Sequence, residues 1–362
     1  MDEQLSEILA LSKKLEASDI HLRTGLPPTY RIAGKLSISS APPVDAAAMS
    51  RIFESTVPPG IRKLFERNMD VDYSVSLPGV SRFRVNCFLQ RGNLAFVFRQ
   101  IPFVLPNVAS LCLEARIIDA LDRDSGLVLV CGPTGSGKTT TIAALLENLN
   151  QTKNLRIITL EDPIEFLFRD AKSEFLQREY RRDFTSFPDA LRAALRQDPD
   201  IIMVGEMRER ETVELAMVAA ETGHLVISTL HASTAASAIE RIYGVFPSEG
   251  REFVRDQLSS VLIAIIAQAL IPMKNNEKQR VAAREILLQS PAIANLIRSE
   301  KQDQIPLFLD NSRNEGMVSM NLALEHLVKR QLVDAEMTFP YSPDPEALHS
   351  RFIRAGIICA ND

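Results

Sequence analysis

Cysteine is scarce in this chain and scattered, with Cys87, Cys112, Cys131 and Cys359 the four in 362 residues. Their spacing matches neither a paired metal motif nor a disulfide framework, so reduced and inert thiols are expected. Long apolar runs are missing as well. The most apolar stretch, residues 261–271, is too short to span a bilayer and is interrupted by Gln268. It reads as a buried core helix. The N-terminus opens with acidic residues in an amphipathic pattern, so no secretory signal is expected. Excess positive charge is absent too, since the formal net charge is −5. No global basic field therefore recruits nucleic acid, although local basic stripes stay open. With no internal repeat and no low-complexity tract, the expectation is a cytoplasmic globular protein that reaches a membrane only through protein partners.

What is present points to two domains. Apolar residues make up 46% and charged residues 24%, an ordinary globular balance, and the length exceeds one typical core. Residues 1–100 read as a small α+β unit. Leu5, Ile8, Leu9 and Leu15 line one side of an opening helix, and strand-like runs follow at 19–23 and 30–38. A helix is expected over 45–67, then strands over 71–77, 82–90 and 94–99, with Pro78-Gly79 as turn chemistry. Residues 101–110, carrying Pro102 and Pro106, are the expected linker. From 111 to 362 the texture changes. Short, nearly continuous apolar runs at 127–131, 156–160, 201–204 and 225–229 alternate with helical patterns, as in a parallel sheet buried on both faces. Beyond about residue 250 the chain reads as mostly helical. The fold class is therefore α/β with a parallel-rich sheet, preceded by a smaller α+β domain.

One motif carries explicit chemistry. Gly132, Pro133, Thr134, Gly135, Ser136, Gly137, Lys138 and Thr139 form a complete P-loop octet, with Thr140 after it. An apolar strand precedes it, and a helix bearing Ile142, Leu145, Leu146 and Leu149 follows. Glycines let successive backbone N–H groups face a polyphosphate, and the helix N-terminus adds a favourable dipole. Lys138 is expected on the β- and γ-phosphates of ATP and the Thr139 hydroxyl on Mg²⁺. Residues 200–206 form an apolar strand ending in Glu206, placed to orient or deprotonate the attacking water. Its alternative is a dipole-favoured Glu before a helix that starts near Glu209. The acidic cluster at Glu161, Asp162 and Glu165 ends another apolar strand. Glu161 is a candidate for Mg²⁺ through water, and a capped Asp-Pro turn is the alternative. His224 and His231 flank a further strand but lack a third ligand type, so zinc is disfavoured and a helix-end cap or surface hydrogen bond is the simpler role.

The order of these segments resembles the secretion-ATPase superfamily of type II secretion and type IV pili. The resemblance runs over residues 5–335. It rests on the octet, the segment 158–166 around Glu161-Asp-Pro-Ile-Glu165, residues 192–208 through Gly205-Glu206-Met-Arg208, and residues 221–231 ending at His231. Within the superfamily the chain is similar to the pilus-retraction group named for PilT and PilU, through residues 17–22, 82–86 and 291–298. The zinc element and extra N-terminal domain common in extension and secretion members are not expected here. The resemblance implies a PAS-like N-terminal domain, a RecA-like ATPase domain, a homo-hexameric ring, an inner-membrane platform protein as partner and a related pilus ATPase as a further one. It also implies a role for His231 near the γ-phosphate. Two departures stand out: Ala294 replaces the Arg of the family's Ala-Ile-Arg-Asn-Leu-Ile box, and the tail from residue 339 is nearer to that of PilU.

On a strand Arg82, Arg84 and Asn86 share one face, opposite Phe83, Val85 and Cys87. An arginine supplied from outside the core site accelerates P-loop hydrolysis strongly. Arg82, Arg84, Arg91 and Arg99 are thus the candidates to reach a γ-phosphate, with weak surface ion pairs as the alternative. The expected function is a motor in which ATP turnover changes the angle between the two domains and drives pilin out of a fibre. Its rivals are a secretion or conjugation motor, an accessory ring subunit that hydrolyses poorly, and a RecA-like nucleic-acid translocase. The Glu206 assignment predicts that Glu206→Gln keeps ATP binding and loses on the order of 10²-fold or more in hydrolysis. Full turnover in that variant, in a phosphate-release assay, would remove Glu206 from the chemistry.

Overall fold

The computed structural model describes residues 1–101 and 105–358, with the backbone alone at 276–278. Residues 102–104 of the expected linker and Cys359 lie outside that range. The chain divides into two compact units. The first comprises residues 1–105, 161–169 and 177–186, and the second holds the remainder. The two excursions at 161–169 and 177–186 pack with the first unit although their sequence position lies inside the second.

The first unit opens with α1 (Glu3–Lys14), where the Asp2 carboxylate accepts from the Leu5 N–H at 3.1 Å and Leu5, Ile8 and Leu9 are buried. Strands β1 (Ala17–Arg23), β2 (Thr29–Ile32) and β3 (Lys35–Ile38) follow. The single run expected over 30–38 is thus a hairpin. Ala33 and Gly34 both take positive φ, at 47° and 82°, which is the backbone that a two-residue turn between twisted strands demands. The helix expected over 45–67 is also two pieces, α2 (Ala46–Thr56) and α3 (Pro59–Asn68). Pro58 and Pro59 explain the break: neither has an N–H to donate, and Pro58 sits extended as the residue before a helix. Strands β4 (Asp70–Leu77), β5 (Ser81–Gln90) and β6 (Asn93–Ile101) complete an antiparallel sheet in the order β3-β2-β1-β6-β5-β4. Ile20, Leu22, Met49, Phe83, Phe96 and Phe98 fill its core.

In the second unit, α4 (Ala115–Ala120) leads to β7 (Gly126–Cys131) and α5 (Lys138–Thr152). Then come β8 (Arg156–Glu161) and β9 (Glu174–Glu179), whose ends at Glu161 and 177–179 group with the first unit, followed by α6 (Phe187–Ala194), β10 (Ile201–Val204), α7 (Arg210–Glu221), β11 (Leu225–Leu230), α8 (Ala235–Gly244) and α9 (Arg251–Val261). A long hairpin, β12 (Leu262–Met273) and β13 (Asn276–Leu288), precedes α10 (Pro291–Arg298), α11 (Ile305–Asn311), α12 (Met320–Lys329) and α13 (Pro345–Arg354). The sheet order is β13-β12-β7-β11-β10-β8-β9. Strands β12, β7, β11, β10 and β8 run parallel to their neighbours, and β13 is antiparallel to β12.

The core helix expected at 261–271 is corrected by β12. A short continuous apolar run reads equally as helix or doubly buried strand, and only tertiary pairing decides. Here Leu262, Ile263, Ile265 and Ile266 are all buried, with β7 on one side and β13 on the other. The mostly helical region beyond residue 250 accordingly contains two strands. Burial also settles the thiols of Cys87 and Cys131, each pushed up to about 12, so neither ionises near neutrality.

One buried carboxyl organises the far side of this unit. Glu285 of β13 accepts from the Ala235 N–H at 2.7 Å and the Met320 N–H at 3.2 Å, the first residues of α8 and α12. Two helix N-termini thus meet on one side chain, which relieves orphan donors and offers positive dipole ends. Burial nevertheless holds the Glu285 carboxyl above its usual value of 4.5. Below that value the carboxyl is protonated folded or unfolded, so its contribution is fully present. As pH rises through the raised folded value, the unfolded chain ionises first and the contribution is lost. The urea midpoint of the wild type relative to Glu285→Gln should therefore decline as pH rises above 4.5. A difference that stays flat, or that grows with pH, would contradict this.

Candidate functional site

The phosphate loop joins β7 to α5, and its shape follows from its glycines. Gly132 has φ 151°, and a Cβ there would meet the Gln268 carbonyl oxygen at 2.5 Å and also the Ser136 hydroxyl. Gly137, the residue before α5, sits at φ 86° in the left-handed region. No side chain caps the start of α5, so its first N–H groups are left for a ligand. Lys138 folds back over the loop, donating to the carbonyls of Gly132 at 2.8 Å and Pro133 at 3.1 Å. Pro133, Thr134 and Gly135 are exposed, while Thr139 and Thr140 are half-buried in the first turn of the helix. The Ser136 hydroxyl is buried and has no hydrogen-bond partner among the described residues.

Glu206 follows β10, and β11 holds its backbone in place. The Ser228 hydroxyl donates to the Val204 carbonyl at 2.7 Å, and the Thr229 hydroxyl to the Gly205 carbonyl at 2.5 Å. The Gly205 N–H donates to Leu160 of β8 at 2.8 Å. The carboxylate itself lies between two cations or potential cations. Arg208 Nη2 is 2.7 Å from Oε2, and His231 Nε2 is 3.5 Å from Oε1. The structure thus brings Glu206 and His231 together, whereas His224 turns away and meets the Ala219 carbonyl of α7 at 3.1 Å. For His224 the helix-end role is the one the geometry supports.

Glu161 is the last residue of β8 and is buried, with Gln177 donating to its Oε1 at 3.0 Å. Gln177 also donates to the Phe166 carbonyl at 2.8 Å and accepts from the Phe168 N–H at 2.9 Å, which knits the acidic turn together. The candidate arginines belong to the first unit. Arg99 donates to Asp19 at 2.8 Å and remains largely exposed. Arg84 is 4.0 Å from Asp72 and half-exposed, and Arg91 occupies the β5–β6 turn at φ 51°. Arg82 differs from the other three. It is 6% exposed, forms an ion pair with Glu179 and donates to the Ser74 hydroxyl at 2.5 Å, while Ser74 donates to Glu179 at 2.6 Å. Its guanidinium is thereby committed to a buried triad.

Three residues outside the predicted set help to build these sites. Gln268 of β12 touches the phosphate loop, Glu179 neutralises Arg82, and Arg208 holds Glu206. Gln268 left a trace in the sequence as a single amide inside an apolar run, and Arg208 as the end of the segment that follows Gly205-Glu206. Removing Glu179 should leave a buried, uncompensated guanidinium, so Glu179→Leu is expected to destabilise the first unit by about 3–5 kcal/mol. Much of that loss should return in the double variant Arg82→Leu/Glu179→Leu, measured by chemical denaturation; a double variant worse than the single one would refute the pairing.

A nucleotide polyphosphate fits what is present: a loop whose glycines allow no side chains at Gly132, an open helix N-terminus, an adjacent ammonium and a buried hydroxyl awaiting a partner. Mg²⁺ also fits by donor chemistry. Among the described residues no group of three or more His, Cys, Asp or Glu side chains could hold a metal. A hydroxyl such as that of Thr139, with phosphate and water oxygens, is the kind of site this ion uses beside nucleotides.

Comparison with known proteins agrees with this arrangement. Residues 97–316, more than half of the chain, match the family described as type II/IV secretion system protein. The chain is 44% identical to the type IV pilus retractation ATPase PilT of Pseudomonas aeruginosa, over 94% of this chain and 99% of that one. It is 34% identical to the type IV pilus ATPase PilU of the same organism, over 90% and 85%. A crystal structure of the pilus retraction motor PilT with bound ADP superposes with a TM-score of 0.88 at 44% identity, covering 96% of this chain and 99% of the other. The chain therefore belongs to the type II/IV secretion system protein family and is PilT-like within it.

Proposed function

We propose that this chain is an ATP-hydrolysing motor that drives retraction of type IV pili. The observation that carries the proposal is the placement of a complete phosphate loop and of Glu206, held by β11, on neighbouring parts of one parallel sheet. Similarity to PilT over nearly the whole chain supplies the biological direction. In this reading the N–H groups at the start of α5 bind the phosphates, and Lys138 exchanges its two carbonyl contacts for the β- and γ-phosphates. Glu206 accepts a proton from, or orients, the attacking water, and Arg208 and His231 keep its carboxylate aimed. The Thr139 hydroxyl would hold Mg²⁺, which when bound would neutralise charge on the phosphate oxygens.

Retraction by a ring is part of the same proposal. A homo-hexamer would let Arg84, Arg91 and Arg99 of one copy serve the nucleotide held by another, with Arg82 kept in its triad. An inner-membrane platform protein would be the partner that receives the motion and brings the ring to the membrane. No helix among the described residues is long and apolar enough to cross a bilayer itself. The tail resembles that of PilU, yet overall identity is 44% to PilT against 34% to PilU, so the primary-motor reading is preferred over an accessory subunit. Deleting the gene should leave cells with surface pili that extend and accumulate without retracting, as followed by fluorescence imaging of labelled pili. Normal retraction in the deletion strain would overturn the motor role.

A further inference from the structure

We propose that Gln268 is a positioning residue for nucleotide binding, a clamp on β12 that sets the curvature of the phosphate loop. The proposal rests on the nucleotide reading of that loop and deepens it. A primary amide inside a strand whose neighbours Ile266, Ala267, Ala269 and Ile271 are all buried carries a desolvation cost unless both its ends are bonded. Both ends are bonded, and both bonds go to the loop and its helix. Gln268 Nε2 donates to the Ser136 carbonyl at 2.6 Å, and the Thr141 hydroxyl donates to Gln268 Oε1 at 2.9 Å. Gln268 is 2% exposed, Ser136 3% and Thr141 2%, so water does not compete for these groups.

The geometry gives the contact a direction of action. In a trans peptide the carbonyl and the following N–H point to opposite sides. Holding the Ser136 carbonyl toward β12 therefore turns the Gly137 N–H to the side away from β12. That N–H belongs to the residue before α5, one of the donors a phosphate at this helix start would use. The Thr141 bond fixes the other end, because Thr141 lies three residues after Lys138 and so on its side of the helix. One amide thus ties loop to helix. The same residue also limits the loop from behind, since its main-chain oxygen lies only 2.5 Å from where a Cβ on Gly132 would fall and its Nε2 lies 3.2 Å from where one on Gly137 would fall.

The test uses the full-length protein and ADP as probe. Gln268→Met keeps the length and apolar packing of the side chain while deleting both bonds, and Thr141→Val deletes one. Gln268→Met should raise the Kd for ADP about tenfold, since two buried hydrogen bonds are lost. Thr141→Val should raise it about threefold. Because Thr141 acts through Gln268, the double variant should bind ADP no worse than Gln268→Met alone. A merely structural role would lower the melting temperature without nucleotide and leave the ADP ratios unchanged. ADP affinity at the wild-type level in both single variants overturns the proposal, as does full additivity in the double variant. If Gln268→Met does not fold, Thr141→Val decides by itself: an unchanged Kd refutes the clamp. Failure of the wild-type chain to bind ADP would sink the nucleotide reading and this inference together, whereas wild-type binding with unaltered variants sinks only the inference.

Discussion

The second unit depends on a close approach between two backbones. Gly132 at the end of β7 lies against the carbonyl of Gln268 on β12, leaving no room for a side chain. The approach is possible because β7 and β12 are parallel neighbours in register, with Cys131 opposite Ala267 one residue earlier. From that contact the loop gains a fixed floor, α5 gains a fixed starting point, and the donors at its start face a common direction. Close packing converts this into rigidity, since interiors this dense transmit small displacements instead of absorbing them.

The side of the sheet that carries Glu206 is built by a related device with different atoms. Here β11 supplies hydroxyls, not glycines, and Ser228 and Thr229 hold successive carbonyls of Val204 and Gly205. Those bonds fix the backbone that carries Glu206, while Arg208 and His231 reach its carboxylate from either end. The arrangement gives the side chain a defined position without burying it completely, so it stays reachable by water. In the first unit the balance is reversed for Arg82, whose charge is enclosed with Glu179 and two hydroxyls and serves the architecture of β4, β5 and the excursion at 177–186.

Much of this was legible in the sequence where local chemistry and tertiary context agree. The octet at 132–139 needs a strand before it and a helix after it, and both were visible as apolar patterns. The parallel strands were readable because burial on both faces leaves runs such as Leu127 to Cys131 with no polar interruption. The same signal misled at 261–271, where an apolar run long enough for a helix is a strand because β7 and β13 pair with it. The hairpin turn at Ala33-Gly34 and the break at Pro58-Pro59 carry local signals, a glycine in a two-residue turn and paired prolines, that hydrophobic periodicity over 30–38 and 45–67 does not register. Arg82 was illegible for another reason. Its pattern is that of its neighbour Arg84, and only the arrival of Glu179, 97 residues away, separates a buried guanidinium from an exposed one.

The span of the Gln268 contacts also bears on how the protein is made. The amide reaches back 132 residues to Ser136 and 127 residues to Thr141. A chain leaving the ribosome therefore exposes its whole phosphate loop long before the strand that shapes it has been synthesised, an interval of roughly ten seconds at common elongation rates. During that interval the loop lacks its floor, and β7 lacks the neighbour that covers one of its edges. A truncated product ending before β12 would accordingly carry the complete motif without the Gln268 bonds to Ser136 and Thr141.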